Sequence, residues 1–229
     1  MSIDYQLKKS YKRKTIAIHV KNTLVTVLAP HFVPLSYIDR LVNKKHQWII
    51  DKIEQQKSTE YFSQHKQSAF DNGEFQLFDR TIKLTLIVSQ NSSTQFNGSE
   101  LVLSASPRVK NLALYHQNQL KEFLKTALNI YLQKRVIELA EVMNLKYVNF
   151  QLKRYKRRWG ACNSKKQLSF NLLLAGAPEW VIDYVVIHEL AHLKHLNHSK
   201  EFWSLVNKYC CEVKKAESWL KIEGKKLEI

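Results

Sequence analysis

Four histidines lie within eleven residues of this 229-residue chain, at His188, His192, His195 and His198. The first two, with Glu189 after the first, form the pattern H-E-x-x-H. Because successive helical residues turn by about 100°, His188 and His192 lie about 40° apart on one face, one turn along the axis. Two imidazoles so placed can bind one tetrahedral zinc ion, and Glu189 can take a proton from a water molecule that the ion polarises. The pattern predicts one zinc ion per chain and a hydrolytic site.

The helix that carries this pattern has a recognisable start. Pro178 suits the first helical position, Glu179 places an acid in the first turn, and no Gly or Pro follows until Gly224. The residues before the histidines are largely apolar, which is typical of a buried helix. Buried polar groups need partners, and one metal ion would satisfy several imidazoles at once. Hydrogen-bonded histidines at a partly exposed helix end are the alternative, but they leave Glu189 and the spacing unexplained.

A catalytic zinc ion usually has three protein ligands and one position for water. We expect His198 to be the third ligand. Asn197 tolerates the left-handed conformation that ends a helix, and Ser199 is a good N-cap for the next one. His195 is the nearest alternative, but it lies about 10 Å along the axis from His188, so one ion would be strained to reach both.

Three further residues remain open as ligands. Glu212 or Glu217 would be the third ligand if the site resembled the two-histidine, one-glutamate sites of thermolysin-like enzymes. Cys162 would be a fourth ligand if its thiolate closed the site, although a buried small apolar residue is the simpler interpretation.

The stretch from His188 to His198, continued by the sequence SKEFW, resembles the YgjP-like metallopeptidase domain. That group is related to the WLM and SprT-like zinc proteases. In WLM-type members the third ligand is the histidine of an H-x-x-x-F-W element, which corresponds here to His198. The stretches Arg158–Ser164 and Leu168–Asn171 are similar to those that precede the zinc helix in the group, and two N-terminal stretches, Arg13–Ile16 and Val27–Pro30, also fit.

This resemblance implies a zinc protease with a zincin-like fold. The sequence departs from the group at Ala161, where serine is common, and at Ser169, where a basic residue is common; both affect only what can be inferred about substrate contacts. Metzincins share the ligand spacing, but His195 replaces their glycine and no methionine follows the site. We therefore do not assign the chain to the metzincins.

The whole chain is predicted to be α+β. Residues 1–104 are expected to form a strand-rich region with one helix. Residues 105–229 are expected to form the zincin-like catalytic domain, with a long support helix, a small sheet and the H-E-x-x-H helix. Residues 55–72 are polar and irregular, as in a linker.

Hydrophobic periodicity predicts the individual elements. In the first region it indicates three hairpins, at 14–20 with 24–28, at 74–78 with 81–88, and across Asn97-Gly98. In the second it indicates a helix at 108–143, strands at 147–156 and 167–174, the zinc helix and two short helices. We expect the strand at 167–174 to be a sheet edge to which an extended peptide adds.

The net charge of +16 favours polyanionic partners. The densest basic run is KRYKRR, residues 153–158, which directly precedes Trp159. It contains the expected nucleic-acid contacts Lys153, Arg154, Lys156 and Arg157. Tyr155 and Trp159 can stack on exposed bases. A second run spans 8–14. The alternative interpretation is that both runs are merely solvated basic surface.

Length and composition limit the location of the chain. It has no run of about 18 apolar residues, so no membrane span or membrane partner is expected. Its first residues lack the apolar stretch of a secretory signal. Three cysteines are an odd number and do not suggest a disulfide framework. These features favour the reducing cytoplasm.

Two functions follow from these observations. The first is a zinc-dependent peptidase in which Glu189 takes the proton of the metal-bound water, acting on proteins or peptides and, as the WLM and SprT-like relatives imply, on nucleic-acid-associated proteins. His195, Arg158 and Tyr209 are the residues expected to stabilise the oxyanion or support the site. The second is a nucleic-acid-binding protein with a structural zinc site, closed by a fourth ligand such as Cys162.

Overall fold

The computed structural model describes residues 3–21, 23–54 and 69–227. The chain forms two compact units, Met1–Lys66 and Gln67–Ile229. This division lies earlier than the expected boundary at 104, because the strands between 74 and 105 pack against the long helix of the second unit. Most of the expected linker at 55–72 lies outside the described residues, and its last four residues, Ala69–Asn72, form a short helix.

The first unit is a three-stranded sheet followed by helical segments. The strand order is β1-β3-β2, with β1 parallel and β2 antiparallel to β3, which confirms the first hairpin. Two helical segments, rather than one helix, follow the sheet and are separated at Lys45. Ile38, Val42 and Ile49 of these segments form the core with alternate residues of β3. The elements are β1 (Gln6–Ser10), β2 (Ala17–Lys21), β3 (Leu24–Pro30), α1 (Leu35–Lys44) and α2 (46–54).

The second unit begins with the short helix α3 (Ala69–Asn72) and a four-stranded sheet in the order β4-β5-β7-β6. Both predicted hairpins are confirmed as antiparallel pairs, and Gly98 between β6 and β7 has a positive φ of 98°. The central pair, β5 and β7, is parallel. The strands are β4 (Glu74–Leu77), β5 (Arg80–Val88), β6 (Ser93–Phe96) and β7 (Glu100–Ala105).

A 31-residue helix, α4 (Leu112–Val142), is the long helix that the sequence predicts. Asn111 caps it by accepting a hydrogen bond from the N–H of Leu114. Its buried residues recur at intervals of four from His116 to Val136, so one face of the helix packs on β7 and on the helix that follows. Among the described residues, no helix is both long enough and apolar enough to cross a membrane.

The remaining elements complete a mixed α+β unit. Its second sheet has the order β8-β10-β9, so the expected edge strand, β10, lies in the centre and was wrongly placed. The edges are β8 and the three-residue strand β9. The elements are β8 (Asn149–Lys153), β9 (Gly160–Cys162), β10 (Gln167–Asn171), a 3₁₀ turn (Leu172–Gly176), α5 (Glu179–Ala191), α6 (Lys200–Tyr209), α7 (Val213–Ile222) and a last 3₁₀ turn (Gly224–Lys226).

Candidate metal centre

Helix α5 carries the first two histidines of the cluster. It begins at Glu179, and Pro178 occupies the N-cap rather than the first helical position. The helix is buried on nearly every side, as its apolar sequence predicts. It ends at Ala191, so His192 is its C-cap. The ring centroids of His188 and His192 are 5.0 Å apart, as expected for residues one helical turn apart.

The chain between α5 and α6 brings in the third histidine. The predicted left-handed residue at Asn197 is not observed, because α5 ends earlier. The N–H groups of Leu193 and Lys194 each donate to a carbonyl three residues back, which satisfies the helix end without a left-handed residue. Ser199 is the N-cap of α6, as predicted, and accepts a hydrogen bond from the N–H of Phe202 at 3.4 Å. His198 therefore immediately precedes a fixed helix start.

The three histidines His188, His192 and His198 meet at one point. One ring nitrogen from each lies within 4.8 Å of the others. Nε2 of His188 and Nε2 of His198 are 3.1 Å apart. Nδ1 of His192 donates to the carbonyl oxygen of His195 at 3.1 Å. Because a carbonyl only accepts, Nδ1 of His192 carries the proton and its Nε2 keeps a lone pair for a metal ion.

These donors fit a zinc ion. Two nitrogens bound at about 2.1 Å to one tetrahedral ion would be about 3.4 Å apart, close to the distance between Nε2 of His188 and Nε2 of His198. Two lone pairs at that distance repel unless they share a proton or a cation. The fit is incomplete in one respect, because Nδ1 of His188 is buried and has no hydrogen-bond partner among the described residues. In most ligating histidines this nitrogen has a hydrogen-bond acceptor.

The protonation of the cluster also suits a cation. Burial, followed by the charges of the neighbouring His192 and His198, lowers the pKa of His188 to about 4. Burial also lowers the pKa of His192, against the effect of its hydrogen bond to the carbonyl of His195. The two imidazoles are therefore neutral at neutral pH, which is the form that binds metal.

Aromatic side chains of α6 support the three rings from below. Phe202 is fully buried, and its ring centroid lies 4.9, 4.6 and 4.7 Å from those of His188, His192 and His198. Trp203 stacks on His198 with ring centroids 5.7 Å apart and 29° between the planes. One helix thus limits the positions of all three imidazoles.

The alternative ligands are placed elsewhere. His195 contributes its carbonyl to His192, and its side chain is not a member of the three-histidine group. Glu212 pairs with Lys215 at 2.8 Å, and Glu217 accepts a hydrogen bond from Tyr184 at 3.3 Å.

Glu189 is buried beside the histidines, with 5% of its surface exposed. Its side chain lies under the backbone of β9, where a Cβ on Gly160 would be 2.6 Å from Cγ and Oε1 of Glu189. Burial raises the pKa of Glu189 to about 8, and the charge of Arg158 opposes this shift. A buried carboxyl with such a pKa can hold or release a proton near neutral pH.

The family model described as YgjP-like, metallopeptidase domain, matches residues 14–223. The chain belongs to the YgjP-like metallopeptidase family. This confirms the resemblance that the sequence suggested around the histidines, and it covers both compact units of the chain.

Two crystal structures are partly similar to this YgjP-like chain. The metallopeptidase zymogen abylysin of Pyrococcus abyssi is 20% identical with a TM-score of 0.37, over 40% of this chain and 95% of abylysin. The metallopeptidase zymogen jannalysin of Methanocaldococcus jannaschii is 27% identical with a TM-score of 0.36, over 41% of this chain and 95% of jannalysin. TM-scores this low do not establish a shared fold. No curated protein matches the chain significantly.

The other predicted site residues of the YgjP-like chain take different positions. Arg158 is exposed, and its charge opposes the rise in the pKa of Glu189. Its guanidinium carbon lies 5.5 Å from the ring centroid of Tyr155. Tyr209 is half-buried at the end of α6, where the ammonium of Lys208 lies 5.2 Å from its ring centroid. The residues expected to contact nucleic acid are all exposed at the end of β8 and in the loop after it: Lys153, Arg154, Lys156 and Arg157.

Sequence reasoning missed the role of Asn171. This residue is 2% exposed, and its side-chain amide donates to the carbonyl oxygens of Tyr155 and Arg158 at 3.0 and 2.9 Å. Its backbone N–H donates to the carbonyl of Trp159 at 2.8 Å. Asn171 therefore fixes the loop that leads into β9 and Gly160. An asparagine ending an apolar strand was the available signal.

An ion pair joins the histidine helix α5 to the long helix α4. The guanidinium of Arg135 on α4 donates two hydrogen bonds to Asp183 on α5, at 2.9 and 2.6 Å. The hydroxyl of Tyr131 donates to the same carboxylate at 2.9 Å, and burial followed by the charge of Asp183 raises the pKa of Tyr131. Bidentate pairing of this kind fixes the relative register of the two helices.

An open groove of about 720 Å³ adjoins the turn between α5 and α6. His195, whose carbonyl holds His192, lines the groove on one side. Half of the other lining residues are lysines, and all six come from the turn and from α6, namely Lys194, Lys200, Glu201, Ser204, Leu205 and Lys208.

Proposed function

We propose that this chain is a zinc-dependent peptidase in which His188, His192 and His198 hold one zinc ion and Glu189 is the general base. The convergence of three imidazole nitrogens beside a buried carboxyl supports this proposal. A bound zinc ion would lower the pKa of a water molecule toward neutrality and polarise the peptide carbonyl.

Glu189 is suited to move the protons of the reaction. Its carboxylate takes a proton from the attacking water and delivers it to the leaving nitrogen. Because burial raises its pKa to about 8, the carboxyl can hold that proton between the two steps at neutral pH. The backbone of Gly160 packs against the side chain of Glu189, so the carboxyl cannot move toward β9.

The number of protein donors favours an enzymatic site over the alternative, a nucleic-acid-binding protein with a structural zinc. A structural site is usually closed by four protein ligands, whereas the group found among the described residues has three. Cys162 is outside that group, and burial and the charge of Glu189 raise the pKa of its thiol, which disfavours a thiolate ligand. X-ray absorption of the zinc-loaded protein should show nitrogen and oxygen neighbours without sulfur.

We also propose that the catalytic unit has the zincin-like arrangement, with α4 as support helix and β8-β10-β9 as the sheet beside the histidine helix. The Arg135–Asp183 pair between α4 and α5, and the contact of β9 with Glu189, support this assignment. Both β8 and β9 are edge strands, but only β9 contacts Glu189, so β9 replaces β10 as the strand to which an extended peptide would add.

The substitution Glu189→Gln tests the assignment of the base. The variant should bind one zinc ion as wild type does, because the three histidines are unchanged, and should lose cleavage of a fluorogenic peptide library. Glu179→Gln is the matched control, since it makes the same change at an exposed position of the same helix. If Glu189→Gln cleaved at the wild-type rate, another group would have to be the base.

A more specific form of the proposal is action on nucleic-acid-associated proteins. The exposed cations Lys153, Arg154, Lys156 and Arg157 support it, because they lie at the end of β8 and in the loop that leads to β9 at the site. DNA should then stimulate peptide cleavage at low ionic strength, and added salt should remove the stimulation. Absence of stimulation at low salt would eliminate this form and leave the peptidase assignment intact.

A further inference from the structure

A second surface of the chain lies in the first unit, at the carboxyl ends of the parallel strands β1 and β3. Ser10 and Pro30 are register partners at the ends of these strands. The next residues, Tyr11 and His31, therefore leave the sheet side by side, and their rings stack with centroids 4.1 Å apart and 13° between the planes. We call Tyr11, His31 and the adjacent Phe32 the aromatic platform.

The side chains of the aromatic platform are largely exposed and do not pack in the core. Tyr11 is 84% exposed and Phe32 is 79% exposed, and neither belongs to the apolar core of the first unit. Single exposed aromatic rings are ordinary on protein surfaces. The stacked pair Tyr11–His31 and the exposed ring of Phe32, the next residue along the chain, offer π faces to a ligand at one end of the sheet.

The charge around the platform has a single sign. Every charged residue between Tyr5 and Ile38 is basic, namely Lys8, Lys9, Lys12, Arg13, Lys14 and Lys21. The ammonium of Lys9 donates to the carbonyl of Val33 at 2.8 Å, which holds a positive charge beside Phe32. Lys12 follows Tyr11 directly and is exposed. Cations therefore lie next to Phe32, through Lys9, and next to Tyr11 in the chain, through Lys12.

We propose that the aromatic platform binds single-stranded nucleic acid, with bases stacked on Tyr11 and Phe32 and phosphates neutralised by the basic residues 8–14. A duplex keeps its base faces covered and would use only the cations. An acidic protein would likewise leave the rings without a role. A membrane surface requires a continuous apolar face, whereas these rings project among ammonium groups. The proposal shares no residue with the metal centre and does not depend on peptidase activity.

The test is fluorescence anisotropy of the full-length protein with a fluorescein-labelled 20-mer of deoxythymidine. The wild type should bind it more tightly than a duplex of equal length. Tyr11→Ala and Phe32→Ala should each weaken binding on the order of tenfold, and Tyr11→Phe should retain it because the stacking face remains. Lys12→Gln should lower the slope of log affinity against log salt by about 0.7.

Trp48→Ala is the matched control, because Trp48 is an aromatic residue 43% exposed on α2 and outside the platform. It should bind the 20-mer as wild type does. Since Tyr11 and Phe32 are outside the core, their alanine variants should unfold at the wild-type temperature, so a loss of binding reports on contact rather than on folding.

Three results would overturn the proposal: no binding of the 20-mer, equal binding by the alanine variants, or equal competition by polyglutamate at matched charge. Binding only to vesicles that contain phosphatidylserine, lost in Phe32→Ala, would assign the platform to a membrane instead. Repeating the assay after chelation separates the two functions, because oligonucleotide binding should survive removal of the metal.

Discussion

Gly160→Ala should impair catalysis by moving Glu189 without removing a donor of the metal centre. Gly160 has no left-handed φ, so the strand conformation itself accepts alanine. The added Cβ, however, would lie 2.6 Å from Cγ and Oε1 of Glu189 and 2.8 Å from Cδ. Carbon atoms pack best at about 3.5 to 4.0 Å, so Glu189 or β9 must shift by about 1 Å.

The size of the effect follows from that displacement. Overpacking a well-filled site costs about 1 to 3 kcal/mol of unfolding free energy. Misplacing a reacting group by about 1 Å costs on the order of 100-fold in rate. We therefore expect kcat/KM to fall about 100-fold while the protein stays folded and binds the same amount of zinc.

The assay compares peptide cleavage, metal content and urea unfolding for wild type, Gly160→Ala and the control Gly176→Ala. In the control the added Cβ meets the terminal methyl group Cδ2 of Leu227 at 2.9 Å, a flexible end that can move. The control should therefore keep wild-type activity. In the double variant Gly160→Ala/Glu189→Asp the shorter carboxylate relieves the contact, so the two losses of stability should be less than additive.

Wild-type kcat/KM in Gly160→Ala, at full metal content, would refute this reasoning. It would mean either that β9 yields at little cost or that the position of Glu189 does not govern the rate. A loss of zinc in Gly160→Ala would contradict it differently, by showing that β9 supports the histidines.

Three further outcomes are expected. His198→Ala should lose stoichiometric zinc in a metal-content assay, whereas His195→Ala should retain it; equal retention by both would remove His198 from the ligand set. Asp183→Asn should lower the unfolding free energy in urea by about 2 kcal/mol, because it weakens charged hydrogen bonds between α4 and α5, whereas Glu122→Gln, which breaks an exposed pair with Lys125, should change it by less than about 0.5 kcal/mol. In metal-free protein, burial raises the pKa of Glu189 from 4.5 to about 8, so its stabilising contribution is present below pH 4.5 and is lost as pH rises to about 8. Between pH 4.5 and 8 the unfolding free energy of Glu189→Gln should therefore rise relative to that of wild type by at most about 5 kcal/mol. A difference in urea unfolding that does not change with pH would contradict the raised pKa of Glu189.

The parts of the site that depend on local periodicity could be predicted from the sequence. The four-residue spacing of His188 and His192 fixes their common face on any helix, and the capping preference of Ser199 fixes where α6 begins. The hairpins were predictable for the same reason, because alternation and Asn97-Gly98 act over a few residues.

The parts that depend on distant contacts could not be predicted. Strand β9 has three residues, too few for alternation to be seen, so β10 was taken for the edge. The expected boundary at 104 ignored the packing of β7 on α4, which no local pattern reports. The approach of Gly160 to Glu189 and the hydrogen bonds of Asn171 likewise join segments that are separate in the sequence.

The position of Phe202 has a consequence for the exchange of the metal ion. Its buried ring touches all three histidine rings from α6, so hydrophobic packing rather than the ion holds that helix against α5. If the three histidines bind zinc, loss of the ion would therefore leave the scaffold assembled. Such a centre could be reloaded without refolding, and its metal occupancy would then follow the zinc supply of its surroundings.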